Sequence, residues 1–244
     1  MRVGVYIDGF NLYYGARGIC GKATPGWRWL DLRALSELLI AKRRDWSGAT
    51  VERIVYCTAR IDQATNPSGF ADQHRYLTAL AAASSVDHIE FGHYVARVKH
   101  APLAVAGSGR RGLPQIVAPQ WPIIVRDATG SPAGDHFMVS VADREEKGSD
   151  VNVASHLLID GLDHRIDAAI VVSNDSDLRY PIQFMRRKLP LGLVNPTRNY
   201  TAGALRDQAS AGAGGHWWYQ LTEADLKSCQ FPAHVHGLDR PLNW

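Results

Sequence analysis

The chain has 244 residues, 45% hydrophobic and 21% charged, with a net charge of +3, so bulk charge does not announce nucleic acid. This is an ordinary globular composition, long enough for one large α/β domain or a domain with a tail. No apolar run approaches the ~18 residues needed to span a bilayer, and Asp8 interrupts the short apolar stretch at the N-terminus. The expectation is therefore a cytoplasmic protein with neither membrane span nor signal peptide. Cys20, Cys57 and Cys229 form no CxxC pattern, which argues against a disulfide framework.

Residues 3–7, VGVYI, are β-branched and aromatic and predict a first strand closed by Asp8-Gly9. An uncompensated carboxylate at the end of a core strand is expensive, so Asp8 needs a cation, backbone donors or a metal. A helix is predicted next, with Leu32, Leu35 and Leu39 at helical spacing and Asp31 as N-cap. VERIVYCTAR predicts a second strand, residues 68–84 an alanine-rich helix, and HIEFGHYV a third strand. This alternation implies βαβ units and a mostly parallel sheet covered on both faces.

Residues 101–135 break the rhythm with GSGRRGLP, PQWP and GSPAGD, while WPIIVRDA and HFMVSVA read as an inserted hairpin. No acid occurs between Glu90 and Asp127, whereas Arg97, Lys99, Arg110, Arg111 and Arg126 are basic. Such a stretch suits a phosphate backbone, and equally a solvated loop. Arg110 and Arg111 are the candidate strand-guiding residues, with Trp121 for base stacking.

Regular structure then returns. DVNVASHLLIDG predicts a helix, AAIVV a central strand, DLRYPIQFMRRK a helix with Pro181 in its first turn, and LPLGLVNP a last strand. Beyond Pro196 the Gly/Ala-rich sequence predicts a weak helix and a loop, with Trp217, Trp218 and Tyr219 docking back. Cys229, His234, His236 and His216 are zinc-type residues whose spacing fits no standard pattern.

Asp8, Asp150, Asp175 and Asp177 all fall at the predicted carboxyl edge of the sheet, where open parallel sheets bind ligands. Crowded carboxylates repel, and Mg²⁺ or Mn²⁺ relieves the repulsion while keeping waters for chemistry on a phosphate. Each acid also has a plainer role: Asp175 or Asp150 as a helix cap, and Asn11 as the closer of a local turn. A phospho-aspartate mechanism needs a second Asp two residues after Asp8, but that position is Phe10. No GxGxxG follows the first strand, which argues against dinucleotide binding.

Taken in order, VYIDGFNLYYG, REEKGSDVNVASHLL and AAIVVSNDSDLRYPI resemble the NYN domain, a branch of the PIN-like ribonuclease fold. The resemblance covers residues 1–198, with an insertion at about 97–135 and residues 199–244 as an extension packed on the domain. It implies a Rossmann-like three-layer fold and a Mg²⁺- or Mn²⁺-dependent endoribonuclease. Asp8, Asn11, Asp150, Asp175 and Asp177 match the family's acidic site, and Ser173 and Asn174 lie beside it. Many relatives carry a further aspartate where this chain has His156, which reads as a weaker ligand, a general acid or a partly buried helix residue. Arg60 and Lys147 lie near the strand ends, for phosphate or for simple ion pairing with Glu145 and Glu146. The implied partner is RNA, single-stranded or structured. The alternatives are a non-catalytic RNA-binding module and a small-molecule phosphohydrolase. The sequence does not reveal the oligomeric state; a homodimer is one possibility, since many parallel-sheet domains of this size dimerise.

Overall fold

A computed structural model describes residues 1–107, 113–117, 129, 138–242 and 244. In chain order the elements are β1 (Arg2–Asp8), α1 (Gly9–Cys20), α2 (Leu32–Ala41), β2 (Thr50–Ala59), α3 (Pro67–Ala82) and β3 (His88–Pro102). Then follow β4 (Ala104–Val105), β5 (Gln115–Ile116), β6 (Met138–Lys147), α4 (Ser149–Leu162), β7 (Ala168–Val172) and α5 (Arg179–Arg186). The last are β8 (Leu191–Asn195), β9 (Trp217–Gln220), α6 (Glu223–Ser228), β10 (His234–Val235) and β11 (Leu238–Asp239).

The chain divides into two compact units, residues 1–93 with 146–244, and residues 94–145. In the first, strands run in the order β3-β2-β1-β7-β8-β9, and each neighbouring pair is parallel. The apolar alternation of β1 explains the layering. Val3, Val5 and Ile7 enter one core with Leu35 and Leu39 of α2 and Leu77 and Leu80 of α3. Tyr6 enters the other with Val153 and Leu157 of α4 and Ile182 and Met185 of α5. Helices thus cover both faces of the sheet, as in a Rossmann-like three-layer α/β fold. Among the described residues, no helix is long and apolar enough to cross a membrane.

Three elements depart from the sequence expectation. Residues 9–20 form α1 although they contain Gly9, Gly15 and Gly18, because the Asp8 side chain caps the helix. Gly15 is required there: a Cβ would lie 2.2 Å from the Pro196 carbonyl oxygen. The tail contributes more than a docked aromatic cluster, since Trp217–Gln220 pairs with β8 as a further parallel strand. The third predicted strand continues to Pro102, well beyond HIEFGHYV.

In the second unit, the outer part of β3 lies beside β6, and β4 pairs antiparallel with β5. Arg97 bonds Glu145 at 3.0 Å and Lys99 bonds Asp143 at 2.7 Å, so two bases of the acid-free stretch are neutralised by β6. β6 contains the second predicted hairpin strand. The first, residues 121–128, lies outside the described residues, as do Arg110, Arg111 and Arg126.

Candidate functional site

Asp8 ends β1 with 1% of its surface exposed. It is held by three donors: the Asn11 backbone N–H at 3.0 Å, Asn11 Nδ2 at 2.8 Å and Ser173 Oγ at 3.0 Å. Burial nevertheless pushes its carboxyl above the usual range. The three hydrogen bonds oppose that shift, and the charge of Asp175 adds to it. Backbone and side-chain donors therefore offset part of the cost of a carboxylate at this strand end, and burial outweighs them.

Ser173 and Asn174 continue β7 and tie the two strand ends together. Ser173 Oγ accepts the Asp175 N–H at 3.1 Å while donating to Asp8, and the Asn174 N–H donates to Asn11 Oδ1 at 3.1 Å. The Asn174 side chain turns away, accepting from Ala202 N at 2.8 Å and donating to Thr197 and Tyr200. Its role is to shape the loop after β8. Asp175 caps the following 3-10 turn by accepting from the Asp177 N–H at 3.0 Å.

Asp150 opens α4 after Gly148, whose φ of 100° turns the chain from β6 into the helix. Burial, then the charges of Asp8, Asp175, Glu146 and Asp177, push the Asp150 carboxyl up to about 7. The four predicted aspartates are thus electrostatic neighbours, with Asn11 and Ser173 as their scaffold. These oxygen donors are of the type that suits Mg²⁺ or Mn²⁺. Asn11→Ala is expected to raise the Asp8 pKa further, read by carboxyl NMR titration. The same change should cost about 1–3 kcal/mol in urea unfolding, because it removes a donor from a buried carboxylate and an acceptor from Asn174.

Arg60 stacks its guanidinium 4.3 Å from the Phe91 ring centroid, and Lys147 is exposed. Glu146 accepts from Ser149 N and Oγ at 3.2 and 2.9 Å. A groove of about 390 Å³ opens beside Asn11, lined by Phe10, Tyr14, Thr197 and Arg198. A larger concavity of about 640 Å³ lies at the start of β2, around Arg44, Trp46 and Thr50. It is at the opposite end of that strand from the carboxylates.

Sequence reading missed His88 and Glu90. His88 Nε2 lies 2.9 Å and His156 Nε2 3.2 Å from the same Glu90 oxygen. The available signal was an H-x-E pair on a predicted strand, which sets both side chains on one face. The tail histidines have other work: His216 accepts the Leu191 N–H at 3.1 Å, and His234 bonds Asp239 at 2.8 Å.

Fold and site together describe an α/β protein with a carboxylate pocket at the carboxyl edge of a parallel sheet. No family model matches the chain. Over 264 aligned positions it is 28% identical to 6-hydroxy-3-succinoylpyridine 3-monooxygenase of Pseudomonas putida, covering 100% of this chain and 75% of that protein. A solved protein of unknown function from Vibrio parahaemolyticus aligns at 12% identity and a TM-score of 0.40, covering 89% of this chain and 91% of that one. The first similarity corrects the expectation of a Mg²⁺- or Mn²⁺-dependent ribonuclease, a hydrolase of phosphodiester bonds, because the named relative is an oxidoreductase. The physical reason is that strand-end carboxylates do not select hydrolysis by themselves; one fold hosts many chemistries.

Proposed function

We propose that the chain is an oxidoreductase of the monooxygenase kind, acting on a small hydroxylated aromatic ring at the carboxyl edge of the sheet. The observation that carries this reading is similarity to a named monooxygenase along the whole chain. In the substrate of that name the ring hydroxyl is para to the carbon that takes oxygen. Removing the hydroxyl proton raises electron density at the para carbon and prepares it for an electrophilic oxygen. Asp150, half-buried and titrating at about 7, is matched to accept that proton near neutral pH. The groove beside Asn11 offers the rings of Phe10 and Tyr14, and Arg198 supplies a counter-charge for an acidic side arm. Where the para carbon carries hydrogen, one atom of O₂ enters the C–H bond as the new hydroxyl and the other leaves as water, with two electrons and two protons from an added reductant. Where it carries an acyl arm, as position 3 does in that name, the ring–acyl bond breaks instead. The ring takes one oxygen atom, the arm leaves as its carboxylic acid with the other, and the same two electrons and two protons balance the step.

The test is incubation of purified chain with ¹⁸O₂, ascorbate or reduced nicotinamide, and hydroxypyridines and phenols bearing acidic side arms. One ¹⁸O atom in the ring hydroxyl of the product is expected. Absence of labelled product across the panel, with and without added Fe²⁺, overturns the reading.

The crowding of Asp8, Asp150, Asp175 and Asp177 favours a second reading. In it, Mg²⁺ or Mn²⁺ sits among them and RNA phosphate is bound without cleavage. RNA affinity measured with Mg²⁺ and with EDTA decides it: indifference to the cation removes this reading.

A further inference from the structure

The strongest unassigned cluster in the first unit is nitrogen-rich and lies two strands from Asp8, across β2. β1, β2 and β3 are in parallel register, with Asp8 opposite Cys57 and Cys57 opposite Glu90. His88 and Glu90, two residues apart, project from the same face of β3. His156 reaches them from α4, the helix that packs over this face of the sheet.

We propose that His88, Glu90 and His156 form a binding site for one divalent first-row transition metal, held by two imidazole nitrogens and one carboxylate oxygen with its other positions open. Both His Nε2 atoms converge on one Glu90 oxygen, at 2.9 and 3.2 Å. Adjacent ligands at about 2.1 Å from a common metal lie roughly 3.0 Å apart in octahedral geometry and roughly 3.4 Å apart in tetrahedral geometry. The His156 separation falls in that interval and the His88 separation lies just below its octahedral end. All three ligand atoms lie within 4.8 Å of one another. The two imidazoles are tilted by 54° with centroids 5.1 Å apart, so they approach a shared point from different directions.

Exposure adds a second argument. The Glu90 side chain is 38% exposed and that of His156 18%, so protein does not close the outer side of the cluster. Three protein ligands with an open side are the pattern of a reactive centre; a structural site is closed by four. The donor set also separates this cluster from the aspartate pocket. Imidazole nitrogens favour the transition metals, whereas Mg²⁺ prefers oxygen throughout. Two histidines and one carboxylate with open positions characterise non-haem Fe(II) oxygenases, and the choice of Fe(II) here rests on the monooxygenase reading. When bound, Fe(II) would supply O₂ binding and one-electron redox chemistry. His88, Glu90 and His156 would hold it. The site itself, as a place for a metal, does not depend on that reading.

Co²⁺ is the probe, because its visible bands report coordination directly, and anaerobic Fe²⁺ with Zn²⁺ competition then ranks the metals. The wild-type chain should bind one equivalent of Co²⁺. His88→Ala, His156→Ala and Glu90→Gln should each weaken binding by more than the ~10–100-fold that loss of an outer-shell partner costs. His93→Ala, an exposed histidine on the opposite face of β3, should bind like the wild type. Circular dichroism on each variant confirms that the fold persists, and Glu90→Gln preserves side-chain volume. Absence of saturable Co²⁺ binding overturns the site. So does binding that survives His156→Ala, or binding that is lost only in Asp8→Asn. Metal bound at the three residues without ring hydroxylation upholds the site and fails the oxygenase reading. Hydroxylation undiminished by His156→Ala upholds the oxygenase reading and overturns the assignment of its Fe(II) to these three residues.

Discussion

Asp150→Asn is expected to lower hydroxylation of an aromatic substrate by ~10²–10⁴-fold, the usual contribution of a positioned general base. The change is nearly isosteric and keeps the start of α4. What it removes is the proton acceptor that burial and the charges of Asp8, Asp175, Glu146 and Asp177 tune to about 7. The wild-type rate should rise with pH through a pKa near 7, and the variant should lose that limb. A stability readout separates this role from a merely structural one. Because the folded pKa is raised above its unfolded value near 3.9, the native state binds more protons between those two values. Asp150 therefore favours folding most below about pH 4, and its contribution falls as pH rises to about 7. Asp150→Asn escapes that loss, so at pH 8 it should be more stable than the wild type, by about 1–2 kcal/mol once screening at a half-buried position is discounted. Urea unfolding at pH 4 and pH 8 beside the pH–rate profile checks both parts. Wild-type turnover in the variant removes Asp150 from the mechanism.

Arg53→Ala is expected to cost about 3 kcal/mol of stability. Asp160 on α4 is fully buried and accepts from Arg53 Nη1 at 2.7 Å, from Tyr6 Oη at 2.9 Å and from Arg165 Nη1 at 3.3 Å. Stranding a buried charge costs roughly 3–5 kcal/mol. Arg165 remains, but its side chain is 55% exposed and its bond is longer, so it offsets only part. The midpoint of urea unfolding reads the loss. A second change, Asp160→Asn, made in the Arg53→Ala background should recover some of it, because the unpaired charge is then gone. No recovery would mean that packing of the arginine stem sets the cost. The network also fixes α4 over β1 and β2, and so holds Asp150 and His156 in place.

Much of this arrangement is legible in the amino-acid sequence. AAIVV reads as a central strand because every residue of β7 is buried on both faces. Asp8, Asp150, Asp175 and Asp177 converge because strand ends of a parallel sheet share one edge, a property of topology that the βαβ rhythm already implies. What escapes is whatever depends on distant partners. The helix over residues 9–20 is hidden by its glycines, one of which fits only the backbone of Pro196. The strand at Trp217 is defined by pairing with residues some twenty-five positions earlier. Glu90 and His156 are separated by 66 residues, and neither is informative until α4 is laid against the sheet. The chemistry was the least legible part. Carboxylates in a row state that charge will be managed at that edge, and leave open whether the charge belongs to a proton, a cation or a phosphate.

The strand formed by Trp217–Gln220 has one further consequence. It occupies the side of β8 that would otherwise present Leu191–Asn195, an apolar and fully buried segment, as a row of unpaired backbone donors and acceptors. Such a rim recruits other chains. The C-terminal segment thus moves the edge of the sheet from that apolar stretch to a short strand that is only partly buried. It is fastened from within by Trp29, which donates to the Pro232 carbonyl at 2.9 Å and packs edge-on against Phe231. A chain shortened before residue 217 would leave the apolar Leu191–Asn195 strand as the edge, a stronger template for aggregation, even with every residue of the carboxylate pocket intact.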